Sequence, residues 1–433
     1  MTGRNLNIDL HHVTRVEGHG NIVVDVRDGR LERAEFEIVE SPRFFESMLR
    51  GRKWHEAPYI TSRICGICAV GHAQASIDAL EKALGVVPSG QTVRLRKLLF
   101  NAEIMQSHWL HLFFLAAPDF FGAGSVLTLV DDQPEVVERA LRLKKLANDL
   151  ADMICGRKVH PIAMKVRGFS SLPSTGQFRE IHRRLCEARR DLAATVGLFE
   201  TLEVPDFENE TEYIALHLSD EYAWISGRIR SSEGGDYAVE DYLEVAREVS
   251  VPHSTAKHAR HARESYMVGA LARTKINGEF LRPEARAAAE RLGLGADTVN
   301  PYMNNAAQLV ETVHCLEDSI ELVEHFLRQP PRAEPRDVKV RAGRGVGAAE
   351  VPRGVLFHDY ELDGDGTIVG ANCIIPTGQN LANLENDMRA LLPQILDRPK
   401  EEITRALEML VRAYDPCISC STHFLDVTFV GEH

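Results

Sequence analysis

The sequence predicts a helix-dominated α+β protein, with a core of long helices and small antiparallel sheets near both ends of the chain. Three observations predict it. Residues 21–40 alternate apolar and polar side chains on both sides of Asp28-Gly29, a turn pair that favours a hairpin. From Glu81 onward the period becomes helical, and Leu95, Leu98, Leu99, Ala102, Ile104, Met105 and Trp109 form an apolar stripe on one long helix. Residues 354–375 return to strand composition.

Between these landmarks, residues 136–155 and 178–202 read as two further long helices. Residues 306–327 make a fourth, and residues 402–413 a short last one. The stretch 329–347 is rich in Pro, Arg and Gly and is expected to be irregular. No internal repeat and no charged tail interrupts the pattern.

With 433 residues, 44% of them apolar and 26% charged, the chain has the make-up of a globular protein rather than a disordered or low-complexity one. A net charge of −13 argues against a nucleic-acid partner, which would call for a basic footprint. The longest apolar stretch, 109–118, is interrupted by His111 and falls well short of the roughly 18 residues of a spanning helix. The first residues lack the apolar core of a secretory signal, so the expected location is the cytoplasm, with no direct membrane span.

Eight cysteines in such a chain do not suggest a disulfide framework. Four of them form two CxxC pairs, Cys65/Cys68 followed by His72 and Cys417/Cys420 followed by His423. Two such pairs offer four soft sulfur donors to one metal. A structural zinc ribbon keeps its pairs about 15–20 residues apart, whereas 348 residues lie between Cys68 and Cys417. A redox dithiol needs only one pair. A buried metal centre joining the two ends of the chain is therefore favoured, with structural zinc and a redox dithiol as the alternatives on spacing alone.

These pairs sit in Arg63-Ile64-Cys65-Gly66-Ile67-Cys68 and Asp415-Pro416-Cys417-Ile418-Ser419-Cys420. In that form they resemble the large, catalytic subunit of the nickel–iron hydrogenases. The stretches Arg15-Val16-Glu17-Gly18-His19, Gly156-Arg157-Lys158-Val159-His160-Pro161, Pro352-Arg353-Gly354 and Ile375-Pro376-Thr377 resemble further elements of that family, in order along residues 15–423. The quinone-site subunit of respiratory complex I shares the fold but lacks the four cysteines. The length and the PRFFESMLRGR segment before the first pair resemble the cytosolic, multimeric branch.

The resemblance implies one large-subunit domain over residues 1–423 and reversible heterolytic oxidation of H2 at a buried nickel–iron centre whose iron carries carbon monoxide and cyanide. It implies that Cys65 and Cys417 are terminal nickel ligands, and that Cys68 and Cys420 bridge nickel to iron. Cys417 would be the first proton acceptor and Glu17 the next relay. The plain alternative for Glu17 is a surface or salt-bridging residue beside Arg15. Arg353 would stand over the open metal position, unless it pairs with Glu350 or Asp359 instead. Pro352 and Thr377 would line the pocket for the diatomic ligands, Thr377 as a donor to cyanide. His72 would hydrogen-bond a bridging sulfur, tuning the metal from outside its ligand set. Ser107 departs from relatives that carry an acid there, which leaves Arg353 without an ionic partner at that position. His108, His111, Asp119 and His160 belong to motifs of the fold and are given no chemistry.

A second, harder metal is also implied, magnesium or iron, held by Glu46, His423 and a backbone carbonyl near 368–371. The plain alternative for Glu46 is a solvated helix residue near Arg50 and Arg52. Residues 424–433 would be an extension removed after His423 by a maturation protease once nickel is delivered by chaperones. Before the cut, the extension is expected to keep the two CxxC pairs apart or loosely joined, and the cut to let them close. The chain has no GxGxxG after a strand and no spare cysteine array for clusters. Electrons are therefore expected to leave through an iron–sulfur small subunit, then through further electron-transfer subunits of flavin or heterodisulfide-reductase type. The acceptor would be NAD(P), a deazaflavin or a ferredoxin/heterodisulfide system. A structural zinc protein and a non-catalytic scaffold of the same fold are the competing readings.

Overall fold

The computed structural model describes residues 4–422. His423 and the extension 424–433, where a metal ligand and a cleavage site are expected, lie outside the described residues.

The chain starts with a three-stranded antiparallel sheet of Leu6–Leu10, Gly20–Arg27 and Arg30–Ile38, in that order. Its hairpin turns at Asp28-Gly29, both at positive φ (49° and 76°), the backbone that lets a two-residue turn follow the strand twist. Ile22, Val24, Val26 and Phe36 bury its inner face.

Four long helices follow, at Ala69–Leu84, Gly90–Leu110, Pro134–Cys155 and Thr175–Phe199, and Asn304–Arg328 joins them later in the chain. The Ser89 hydroxyl caps the second by accepting from Thr92 N, and Ser174 with Gln177 forms a reciprocal capping box on the fourth. The apolar stripe on Gly90–Leu110 is only part of what that helix buries. Arg96, Asn101, Glu103, Ser107 and His108 are buried too, because the helix runs through the middle of the body rather than over its surface. A π-helical segment, His111–Ala116, extends it.

The second terminal sheet is Gly343–Val351, Gly354–Leu362 and Ile368–Ile374, all antiparallel. Its first strand overturns the expectation of irregular chain up to 347. Gly343, Gly345 and Gly347 lie so close to the helix Ala69–Leu84 that a Cβ on each would sit 2.4, 2.2 and 2.0 Å from the carbonyl oxygens of Ala83, Ala79 and Ala75. Glycine at every second residue is therefore a strand packed onto helix backbone, not a loop. The sequence reading also missed the small central sheet of Glu212–His217, Arg228–Ser231, Asp236–Tyr237 and Tyr266–Met267, whose last strand pairs in parallel. The helix Pro376–Ile395 escaped it as well, because buried Gln379, Asn380, Asn383 and Asp387 break its apolar period. No described helix is long and apolar enough to cross a membrane.

Candidate metal centre

Cys68 precedes the first residue of the helix Ala69–Leu84, and Cys417 precedes the one-turn helix Ile418–Ser421. The two turns meet in the interior. Cys65 Sγ lies 3.4 Å from Cys417 Sγ, Cys68 Sγ lies 3.9 Å from Cys420 Sγ, and Cys417 and Cys420 are 2.8 Å apart. All four sulfurs fall within 4.8 Å of one another, and all four cysteines are free and buried. The expectation about the extension concerns residues 424–433, which lie outside the described residues.

Among the four thiols, Cys65 is the one held below the usual thiol range. Hydrogen bonds from Cys417, Cys420 and Cys68 and the charge of Arg353 keep Cys65 well below the usual thiol range, against the effect of burial. Cys417 and Cys420 lower Cys68 too, but Cys65 and burial outweigh them and push it up to about 11. Cys420 lowers Cys417, but Cys65, Cys68 and burial outweigh it and hold Cys417 well above the usual thiol range, and burial with its neighbours does the same to Cys420. Four soft donors crowded in a dry pocket, three of them reluctant to ionise, suit a metal that would take all four as thiolates. On donor type and spacing the cluster fits a nickel–iron centre.

The N-terminal RVEGH segment lies against the second pair. Ile418 N donates to Glu17 O at 3.0 Å, and Ser419 N donates to Glu17 Oε2 at 3.1 Å. Glu17 is half-buried and makes no salt bridge to Arg15, which pairs with Asp119 instead. Gly18 has φ +88°, and a Cβ there would sit 2.6 Å from Ile418 Cβ, so only glycine lets the segment lie this close.

Arg353 is buried and donates to Asp415 O (2.6 Å), Asp415 Oδ1 (2.7 Å) and Ser107 Oγ (3.2 Å). Its ionic partner is Asp415, not Glu350 or Asp359. Burial opposes the charge, but Asp415 and the neighbouring thiols hold its pKa well above the ordinary value. Asp415 also accepts from Gln308 Nε2 at 3.0 Å. The carbonyls of Val351 and Pro352 accept from Arg273 (2.9 and 3.0 Å), a buried guanidinium paired with Glu311 and Glu350.

Thr377 Oγ1 accepts from Cys417 N at 2.9 Å, which leaves its own proton to donate elsewhere. His72 Nδ1 lies 3.1 Å from His358 Nε2, whose ring in turn meets the Tyr360 hydroxyl. Glu46 is buried, unlike the solvated residue of the plain alternative. Its short helix, Phe45–Leu49, is tied to the strand Ile368–Ile374 through Gly51 N to Ile368 O and Ile368 N to Arg52 O, both 2.8 Å.

The sequence reading missed three site residues. Arg43 latches the two CxxC turns together, donating to Ile64 O (2.7 Å), Arg63 O (3.1 Å) and Ser419 O (3.2 Å). Glu103 accepts from Val70 N (2.6 Å) and Gly71 N (2.9 Å) at the start of the helix after Cys68, and burial pushes its carboxyl up to about 8. Asp415 holds Arg353. Asp415 stands within the second cysteine motif and Arg43 within the PRFFESMLRGR segment, but Glu103 carried no signal.

Residues 43–175 and 256–423 match the nickel-dependent hydrogenase family, and residues 7–41 match a HoxL-like segment. The alpha subunit of sulfhydrogenase 1 from Pyrococcus furiosus is 34% identical, over 96% of this chain and 98% of its own length. The beta subunit of the NAD-reducing hydrogenase HoxS from Cupriavidus necator is 29% identical, over 95% and 94%. Among solved structures, an NAD+-reducing [NiFe]-hydrogenase in the H2-reduced state superposes with a TM-score of 0.87 at 28% identity, covering 98% of this chain and all of that one. Likeness of this extent, with the four thiols gathered as such a centre needs, means that the chain belongs to the nickel-dependent hydrogenase family, as a large subunit that acts on H2.

Proposed function

We propose that this chain catalyses reversible heterolytic oxidation of H2, passing electrons to an iron–sulfur small subunit, which hands them on to a soluble acceptor. The observation that carries the reading is the set of four free, buried thiols from opposite ends of the chain within 4.8 Å of one another, beside the buried guanidinium of Arg353. When bound, a nickel–iron centre with carbon monoxide and cyanide on its iron supplies the open position at which H2 is polarised.

The chain's own groups then divide the remaining work. Cys65, Cys68, Cys417 and Cys420 hold the metals. Cys417 receives the proton, and half-buried Glu17, joined to the backbone just after Cys417, carries it outward. Arg353, clamped by Asp415, presents a fixed positive charge in a pocket closed to water, where it acts far more strongly than in solvent. Pro352 and Thr377 shape the pocket beside it. His72 and its partner His358 orient the surroundings of the first pair. Glu46, beside the strand Ile368–Ile374, belongs to a second magnesium or iron site completed by His423. Processing after His423 follows metal delivery by nickel chaperones.

The electron route rests on the composition of the chain and on relatives that are themselves named as subunits of hydrogenases. It requires further subunits of flavin or heterodisulfide-reductase type. NAD(P), a deazaflavin and a ferredoxin/heterodisulfide system remain the acceptor classes, and a cytoplasmic complex suits all three. The test is Cys417→Ser in the purified complex, assayed with an artificial acceptor. A hydroxyl replaces neither a soft ligand nor the proton acceptor, so turnover should be abolished. Near-normal turnover would remove Cys417 from the site.

A further inference from the structure

Away from the thiol cluster, three residues from separate elements converge. His258 opens the strand His258–Arg260, His253 sits in the loop joining it to Arg247–Val249, and Glu385 projects from the helix Pro376–Ile395. One ring nitrogen of each histidine and a carboxylate oxygen of Glu385 lie within 4.8 Å of one another. His253 Nε2 is 2.7 Å from Glu385 Oε1, and the two rings meet edge to face with centroids 5.6 Å apart. His258 is only 5% exposed, and its Nε2 has no hydrogen-bond partner among the described residues. A buried polar atom left without a partner carries a desolvation cost, and native structures rarely leave it unanswered.

The surroundings fit a metal rather than a plain hydrogen bond. His253 Nδ1 faces Glu35 Oε1 at 3.9 Å, a carboxylate close enough to favour a cation on the ring through space, while Nε2 points to Glu385. Glu385 is held in place on both oxygens, Oε1 by Phe36 N (3.1 Å) and Oε2 by Arg389 (3.1 Å). Oε1 retains a second lone pair, now spent on His253. The Arg389 charge is engaged on the other oxygen.

We propose that His253, His258 and Glu385 form a site for one divalent transition-metal ion, of the zinc class, with water as its fourth ligand. Two imidazoles and one carboxylate suit zinc-like ions and not magnesium or calcium. With bonds of about 2.0–2.2 Å in tetrahedral geometry, the ion would take the place of the direct His253–Glu385 contact, whose 2.7 Å separation would have to open. The ion would clasp the strand Arg30–Ile38, through Glu35 and Phe36, to the helix Pro376–Ile395. The site is independent of the thiol cluster and of the activity proposed above.

The holoenzyme, its nickel–iron centre in place so that the cysteines are already engaged, is treated with a mild chelator and titrated with Zn2+ and then with Co2+. One ion per large subunit should bind, and cobalt should show d–d bands with no sulfur-to-cobalt charge transfer. His258→Ala should abolish uptake, and Glu35→Gln should weaken it by about tenfold or more. If His258→Ala does not fold, the cobalt spectrum of the unmodified enzyme and the Glu35→Gln titration decide. No stoichiometric uptake at micromolar metal, a sulfur charge-transfer band, or uptake unchanged in a folded His258→Ala enzyme would overturn the proposal.

Discussion

Arg353 grips Asp415 twice, through Nε to the backbone carbonyl at 2.6 Å and through an Nη to Oδ1 at 2.7 Å. Asp415 stands two residues before Cys417, so this pair ties the arginine loop to the second cysteine turn. Asp415 adopts φ 49°, a strained position for a residue with a side chain, and the double contact holds it there.

Asp415→Asn keeps the shape and removes the counter-charge from a buried guanidinium. Losing one partner of a buried ion pair costs about 3–5 kcal/mol. A lower melting temperature and a loss of turnover larger than the loss of bound nickel are expected, measured by calorimetry, metal analysis and assay on the same preparation. An Asn variant as stable and active as the parent would show that Ser107 and the other contacts suffice to hold Arg353.

Glu17→Gln should leave metal content and the infrared bands of the diatomic ligands unchanged while slowing H2 uptake with an artificial acceptor. The amide oxygen can still accept from Ser419 N, as Glu17 Oε2 does at 3.1 Å, but the side chain cannot take up a proton. Turnover equal to the parent's, with unchanged bands, takes Glu17 out of the proton path.

Asp387 supplies a pH test of the scaffold. Burial pushes its carboxyl up to about 6, with Tyr414 and Asn209 donating to it and only partly offsetting this. Between pH ~4 and ~6 the folded state keeps a proton that the unfolded chain has released, so this group's contribution to stability falls as pH rises through that window. Asp387→Asn lacks the titration. The melting temperature of the variant relative to the parent should therefore climb from pH ~4 to ~6 and level off above about 7. A difference independent of pH would mean that Asp387 is ionised throughout.

The extension gives a test by mass. The large subunit of the active complex should end at His423, lighter than the full sequence by residues 424–433. An active subunit still ending at His433 would show that no processing is needed.

What could be read from the sequence followed a physical rule. The hairpin was legible because Asp28-Gly29 is a local turn signal, and the CxxC pairs because the chemistry of a thiolate ligand is carried by the residue type itself. Pairings made across the fold were not legible. Glu350, one of the two partners suggested for Arg353, instead pairs with Arg273, and Asp359, the other, with Arg344. Arg43 latches two turns whose carbonyls lie 21 and 376 positions away in the chain, a contact no spacing encodes. Strand Gly343–Val351 was hidden because its glycines answer to a neighbouring helix and not to their own period.

The proposed role of the four sulfurs is to hold nickel and iron. Elemental analysis of the purified, active complex tests it most directly. Nickel is expected in the large subunit in equal amount to Cys417-dependent iron, both lost in Cys417→Ser. Zinc alone at the four cysteines, with nickel absent from an active preparation, would contradict it.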